Sequence, residues 1–546
     1  MRVATWVFSR LKELGVDVTF GLPGDFALPL YDGQAEAGMR TVTCTHEPGA
    51  AFAADAYSRL KGLGVALGTY GAGTLNMVNA VGMSYAEHTP LLIISGAPSL
   101  KERPPERPVH HTIRDWDTPL RVFRELTVEA RPANDPHQAA LEFERVVGAV
   151  VKHRRPGYFE IPTDVARLEI DPPTLGEFPK PRVDPAALDE AIREIRGALL
   201  SARRPVLYAG VGVRRFGLSA ICVKLAETYG LPVVVSVLGK GVFPESHSHF
   251  AGVFMGALGG PTARGVLDAS DCVLSLGVLR NDVNSGFWTD RFDKATWIEV
   301  AEDAVRIRHH VYPDLPLDAV VLALKHAGCR ATAPVPRFEC SVPEEKEVSQ
   351  GASRLRVNQI IHELNRVAAN RYAYVADIGD SWFLGLELKT DMFLAPGYYA
   401  TMGYAVPAAL GMSLAEPLRR PFVLVGDGAF QMTGCELSTL VRERLNPIIL
   451  LLNNGGYMML EALDRPCARY DLPRWDYVTM ARAMGAEACR VETLDQFKAA
   501  LQRAHQASCT FLIEAVLERS DRSPIMKRIE DVMRASRAAS GVSRST

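Results

Sequence analysis

The chain has 546 residues, 47% hydrophobic and 23% charged, with 61 basic and 63 acidic side chains and a net charge of −2. That length exceeds what one hydrophobic core organises and implies about three domains, while the balanced charge offers no footprint for nucleic acid or an anionic membrane. The nine cysteines are scattered without CxxC spacing, which fits a reducing cytoplasm and argues against a disulfide framework or cysteine zinc site.

The N-terminal MRVATWVFSRLKELG predicts an amphipathic helix with Val3, Val7, Leu11 and Leu14 on one face, ended by Gly15. No signal peptide or membrane span is read there, so a cytoplasmic protein is expected. Alternating strands and helices follow to residue 167, the pattern of an α/β domain. Strand Val16–Phe20 runs into Gly21-Leu-Pro-Gly-Asp25, and strand Val42–Thr45 into His46-Glu47-Pro48-Gly49 and an Ala-rich helix from Ala50 to Leu60. Val65–Thr69 leads into Tyr70-Gly71-Ala72-Gly73, and Leu91–Ser95 into Gly96. Each strand thus ends in a Gly- or Pro-bearing loop, where open α/β sheets place ligands.

A proline-rich linker, 168–185, precedes a second α/β domain over 186–330. Its first helix buries Leu188, Ile192, Ile195 and Leu199, and strands are predicted at Pro205–Ala209, Pro232–Val237 and Cys272–Leu276. Gly210-Val-Gly212 resembles half a nucleotide loop but lacks the third glycine of GxGxxG. A second linker spans 331–353, and a third α/β domain, 354–520, opens with helix Val357–Ala369 and strand Tyr372–Asp377 and closes with strand Ile513–Leu517. A C-terminal helix near Ile525–Met533 and a polar, disordered tail complete 521–546. The first and third domains share a strand–helix rhythm that suggests an internal repeat. The expected fold is therefore α/β, with three doubly wound parallel sheets.

The most informative stretch is Pro421–Met459. The apolar run Phe422–Val425 ends in Gly426-Asp427-Gly428, and Pro447–Leu452 ends in Asn453-Asn454-Gly455-Gly456. Between them Thr433-x-x-Glu436 reads as a capping box opening a helix. A right-handed βαβ crossover brings Asp427 and Asn454 to the carboxyl end of one sheet. A carboxylate, an amide oxygen and glycine-rich backbone there suit Mg²⁺ holding a diphosphate.

GDG, a gap, then NN resembles the signature of thiamine diphosphate enzymes. The resemblance implies metal ligation by Asp427, Asn454 and the carbonyl of Gly456, with the Gly426 turn and the N–H groups of Gly428 and Ala429 on the diphosphate. Gly379-Asp380-Ser381-Trp382 matches the family's GDSWF element, which places Asp380 and Ser381 at the diphosphate or its loop. Ala400 would offer its carbonyl to the aminopyrimidine, and Met402, otherwise plain core filler, would wedge beneath the cofactor. Glu47 alone reads as a helix-start carboxylate favoured by the macrodipole; the matching HEPGAAFAADAYSR segment makes it the acid bonded to the pyrimidine.

Asp25 alone reads as a turn residue, and His110-His111 as a solvated pair. Together with Glu47 and the Tyr70 loop they match the pyruvate and indolepyruvate decarboxylase branch, closest in pattern to phenylpyruvate decarboxylase. There they imply substrate positioning and proton transfer, with Tyr70 in the substrate pocket. Where pyruvate decarboxylases carry Ile-Glu after the NN loop, this chain has Met459-Leu460, with Glu461 about 100° further round the helix. Two apolar residues enlarge and dry the pocket for a bulky side chain.

The resemblance implies a carbon–carbon lyase that decarboxylates a 2-oxo acid, first phenylpyruvate or indolepyruvate, through the cofactor's ylid and enamine. It also implies thiamine diphosphate and Mg²⁺ as cofactors, and a homodimer with active sites at the interface, assembled as a homotetramer. The alternative is a carboligase forming 2-hydroxyketones in a biosynthetic pathway. A non-catalytic regulatory relative is disfavoured by the intact Glu47 and metal motifs.

Overall fold

Continuous apolar strands such as Leu91–Ala97, buried at every position, require a sheet covered on both faces. Three such sheets form in the structure, a computed structural model that describes residues 1–539 except 104–107, 172, 174–175, 177, 179–180, 291–294, 328–337, 339–353, 368–369 and 465–466. The second predicted linker and the end of the tail lie almost wholly outside the described residues. Among those described, no helix is long and apolar enough to cross a membrane.

The first sheet comprises β1 Val18–Gly21, β2 Arg40–Thr43, β3 Gly64–Gly68, β4 Leu91–Ala97, β5 Glu129–Pro132 and β6 Gly157–Pro162, all parallel, in the order β2-β1-β3-β4-β6-β5. The second comprises β7 Pro205–Ala209, β8 Val233–Ser236, β9 Phe250–Phe254, β10 Cys272–Leu276, β11 Thr296–Val300, β12 Ala304–Ile307 and β13 His310–Pro313, in the order β13-β12-β11-β10-β7-β8-β9. Its core is parallel as expected, and β11, β12 and β13 add an antiparallel edge. Their connections are too short for a crossover and permit only hairpins.

The third sheet comprises β14 Tyr372–Ala376, β15 Phe393–Leu394, β16 Arg420–Gly426, β17 Ile448–Asn453, β18 Glu487–Val491 and β19 Phe511–Val516, all parallel, in the order β15-β14-β16-β17-β19-β18. Strand for strand, this repeats the topology of the first sheet.

The two repeated sheets share a core. The helix Glu47–Lys61 lies against the helix Ala405–Ala415, and alanines 50, 51, 53, 54 and 56 join Ala405, Ala408 and Ala409 in one buried cluster. At Gly411 any Cβ would collide with the Ala53 carbonyl, so backbone meets backbone at the crossing. Within this apolar layer Asp55 accepts hydrogen bonds from Arg59 Nε (2.5 Å), Ser84 Oγ (2.8 Å) and Tyr404 Oη (3.0 Å). A buried carboxylate so fully partnered makes breaking any one bond costly. In the middle sheet, Gly210 and Gly212 need no nucleotide to account for them: a Cβ on Gly212 would come within 2.8 Å of the Gly277 backbone.

Candidate active site

At the carboxyl end of the third sheet, β14, β16 and β17 deliver their loops to a cavity of about 290 Å³. Strand β16 passes directly into a helix, Asp427–Thr433, with Gly426 at its N-cap. This corrects the capping-box expectation, which began the helix at Thr433. Thr433 instead donates its hydroxyl to the Gly403 carbonyl (2.7 Å), and a 3₁₀ turn, Gly434–Glu436, joins the next helix, Leu437–Arg442.

Asp427 is almost fully buried and faces the loop after β17. Its Oδ2 accepts the N–H groups of Asn454 (3.1 Å) and Gly455 (2.7 Å), and its Oδ1 that of Gly428 (2.8 Å). The phosphate contact expected of Gly428 N–H has to share or replace that bond. Asn454 Oδ1 accepts the Gly456 N–H (3.1 Å). Burial pushes the Asp427 carboxyl up to about 6, against the lowering effect of these amides. A cation beside it reverses that penalty.

Asp380 and Ser381 head the helix after β14 and line the same cavity. Asp380 Oδ2 accepts the Ser523 N–H (2.9 Å), whereas its buried Oδ1 has no protein partner, and burial pushes this carboxyl too up to about 6. Ser381 donates its hydroxyl to the Asp377 carbonyl (2.9 Å). Ala400 holds a left-handed φ of +60°, unusual for a residue with a Cβ. It and half-buried Met402 line the cavity wall, and Met402 also packs on the shared core.

Sequence reading missed Asp377, which organises this wall: buried at the end of β14, it accepts the N–H groups of Gly403 (3.0 Å) and Ala405 (2.8 Å). The available signal was an acidic residue ending an otherwise apolar strand. Beyond Gly456, the helix Met458–Leu463 sets Met459 and Leu460 in the cavity lining. Glu461 turns away as expected and is held by Arg519 Nε (2.7 Å), whose other arm reaches Asp471 (2.5 Å).

A second cluster forms at the carboxyl ends of β1 and β3 in the first sheet. Glu47 is the first residue of its helix and accepts a hydrogen bond from Asn76 Nδ2 (3.1 Å), another residue not singled out in the sequence. The helix start is fixed from the third domain: Glu436 Oε1 accepts the Thr45 N–H (2.9 Å), the Thr45 hydroxyl (2.6 Å) and the His46 N–H (3.3 Å). A partner 391 positions away is invisible to a local capping pattern.

Asp25 contacts His110 Nε2 directly. Burial opposes ionisation of Asp25, but the His110 bond and the Phe26 N–H hold its carboxyl below the usual range. His110 stacks on Phe26 (4.9 Å, 21°), and the two imidazole rings lie 4.8 Å apart. His111 has a left-handed φ of +68°, unusual for a residue with a Cβ. Tyr70 is fully buried, with its hydroxyl donated to the Trp116 carbonyl (2.7 Å). That bond ties the loop after β3 to the segment that follows the histidine pair, and Tyr70 packs edge-on against Phe26 (6.3 Å).

Models of the thiamine pyrophosphate enzyme family match in three pieces: the N-terminal TPP binding domain over residues 1–118, the central domain over 192–323 and the C-terminal TPP binding domain over 377–515. The chain belongs to the thiamine pyrophosphate enzymes. Within that family it is 35% identical over 536 residues to an indole-3-pyruvate decarboxylase from Azospirillum brasilense, covering 97% of each chain. It is 32% identical to an alpha-keto-acid decarboxylase from Mycolicibacterium paratuberculosis (95% of this chain, 94% of the relative). A pyruvate decarboxylase from Hanseniaspora uvarum is 30% identical (90% and 91%).

The residues present fit the cofactor of a thiamine pyrophosphate enzyme. A buried carboxylate and a neighbouring amide oxygen supply hard donors for Mg²⁺. Gly379, Gly426 and Gly455 have nothing within 4 Å of where a Cβ would stand. The unpartnered Asp380 Oδ1 is a buried acceptor open to a donor. The cavity wall comes from the third domain and the C-terminal segment, however, and includes none of Asp25, Glu47, His110 or His111.

Proposed function

We propose that this enzyme is a non-oxidative 2-oxo acid decarboxylase, releasing CO₂ and an aldehyde, with aromatic acids such as indolepyruvate or phenylpyruvate preferred. The decarboxylase relatives span nearly the whole chain. The observation that carries the substrate preference is the apolar Met459-Leu460 wall, with Glu461 drawn off to Arg519. An indole or phenyl ring gains from that apolar surface, which lacks the Glu461 carboxylate.

When bound, thiamine diphosphate supplies the electron sink for the electron pair left by CO₂ loss. Asp427, Asn454 and the Gly456 carbonyl would hold its Mg²⁺; Gly426, Gly428, Ala429, Asp380 and Ser381 would surround its diphosphate; Ala400 and Met402 would seat its rings. Glu47, steadied by Asn76 and by the Glu436 contacts at its helix start, would be the carboxyl group offered to the pyrimidine ring nitrogen. Asp25, His110 and His111 orient the substrate carboxylate and return a proton to the carbon that loses CO₂; imidazoles beside a carboxylate suit that task near neutral pH.

The absence of Glu47 and the histidine cluster from this cavity's wall supports a homodimer in which each chain completes the other's site. Two dimers pair as a homotetramer, and the described cysteines, all free, suit the cytoplasm.

The test is a panel of 2-oxo acids with coupled aldehyde detection, run on the wild type and Leu460→Glu. The wild type should favour indolepyruvate or phenylpyruvate over pyruvate by at least about tenfold in kcat/KM, and the variant should narrow that ratio. No aldehyde from any acid rejects decarboxylation; an unchanged ratio rejects the pocket argument.

A further inference from the structure

Among the described residues, one group of three His, Cys, Asp or Glu side chains is arranged to hold a metal ion: Asp25, His110 and His111, with one ligand atom of each within 4.8 Å of the others. We propose that this cluster is a second metal site, taking a divalent cation of the Zn²⁺ class, and that the cation stops turnover by occupying it. The inhibitory half rests on the acid–base role proposed above; the binding half does not.

Donor chemistry sets the choice of ion. Two imidazoles and one carboxylate suit Zn²⁺, Co²⁺ or Ni²⁺ and give Mg²⁺ little, because Mg²⁺ seeks an octahedron of oxygens. The Asp427–Asn454 loop has the opposite preference, offering oxygen donors only. The two sites therefore sort metals by type, and Mg²⁺ at the diphosphate loop leaves the histidine site open.

The cluster is also partly organised in advance. Thr69 Oγ1 donates to Asp25 Oδ1 (3.3 Å), which orients the carboxylate and presents Oδ2 to His110. That is the outer-shell support typical of metal-bound carboxylates. Phe26 fixes both rings, stacked on His110 and edge-on to His111 at 5.8 Å. His111 Nδ1 is buried without a hydrogen-bond partner, although the ring lies beside two polar groups. Such a nitrogen is an unspent ligand.

Tetrahedral Zn²⁺, with bonds of about 2.0–2.2 Å, needs ligand atoms roughly 3.3 Å apart. The remaining gap closes by a small turn of the Asp25 carboxylate, 47% exposed, and a slide of the His110 ring, 61% exposed, across the face of Phe26. Entry of the cation replaces the Asp25–His110 contact, and a fourth position remains for water. A cation there removes the lone pairs that would move protons to or from substrate.

The test uses the full-length enzyme loaded with thiamine diphosphate and excess Mg²⁺, and Co²⁺ as the spectroscopic probe. One equivalent of Co²⁺ per chain should produce visible bands of a four- or five-coordinate nitrogen–oxygen site. Stoichiometric Zn²⁺ should abolish the bands and further Mg²⁺ should not. His110→Gln and His111→Asn should each lose the bands while keeping their circular dichroism and thermal midpoint without Co²⁺; Asn tolerates the left-handed backbone at position 111. Zn²⁺ should lower aldehyde formation about 100-fold with the same stoichiometry. No bands in the wild type, or bands retained in both variants, overturns the site. Bands that titrate as expected while aldehyde formation continues uphold the site and overturn the acid–base role instead.

Discussion

Replacing Glu436 with alanine removes one carboxylate that serves two domains. Its Oε1 accepts two backbone N–H groups and one hydroxyl at the entry to the Glu47 helix, and its other oxygen accepts the Thr439 hydroxyl (2.7 Å). Each amide left without an acceptor costs about 1–3 kcal/mol. Thr45 and His46 are partly exposed, so water recovers some of this, and a net loss of about 2–4 kcal/mol is expected. Glu47 is the next residue, and a misplacement near 1 Å costs about 100-fold in rate. Glu436→Ala should therefore lower kcat by about 10–100-fold with a smaller change in KM, and amide exchange over residues 45–50 should accelerate. Glu436→Gln keeps a carbonyl oxygen for the same donors and should recover most of the rate. Thermal unfolding, kcat by coupled aldehyde detection, and hydrogen exchange together separate positioning from global instability. An alanine variant with wild-type kcat, or a glutamine variant as impaired as alanine, would refute the reasoning.

Two further predictions concern other supports. Arg519→Ala releases both Glu461 and Asp471, which clasp the loop of residues 467–472 over Gly455 and Gly456; the Mg²⁺ concentration for half-maximal cofactor binding should rise about tenfold by calorimetry, and an unchanged value would remove the clasp from the metal site's support. Glu160 is buried beside Arg103 (3.5 Å) and Tyr158 (3.0 Å), and burial pushes its carboxyl up to about 7. The folded protein thus keeps a proton that the unfolded chain has lost, so this group's contribution declines as pH rises from about 5 to about 7 and is then constant. Glu160→Gln should flatten that part of the stability–pH curve, a slope worth about 3 kcal/mol in total, and a thermal-shift profile parallel to the wild type would reject the assignment.

What the sequence disclosed was local. Gly426-Asp427-Gly428 and Asn453-Asn454 sit at the ends of apolar strands, and the loop geometry that joins them follows from the βαβ rule. The paired edge β11–β13 was missed because short, half-exposed strands lack the buried-run signal that marked β4 and β16. Glu436 satisfied a capping pattern that the tertiary structure overrode, and its donors lie in another domain. Asp377 passed as the last residue of a strand, although its work is done on a turn some 26 positions on. Tyr70 stood beside functional motifs and shared in their reading, while its burial depends on how the histidine loop folds back. In each case the missing information is a long-range contact, which no window of neighbouring residues contains.

The alanine-rich seam between the helices Glu47–Lys61 and Ala405–Ala415 also bears on how the protein is made. Its two halves leave the ribosome about 350 residues apart, which at about 5–20 residues per second is roughly 20–70 s. Throughout that interval the first helix has no mate for its bare face. The middle sheet, complete within one continuous segment, can fold in the meantime. Synthesis order therefore leaves the N-terminal domain's alanine face waiting longest for its cover, and both halves of the seam become native together.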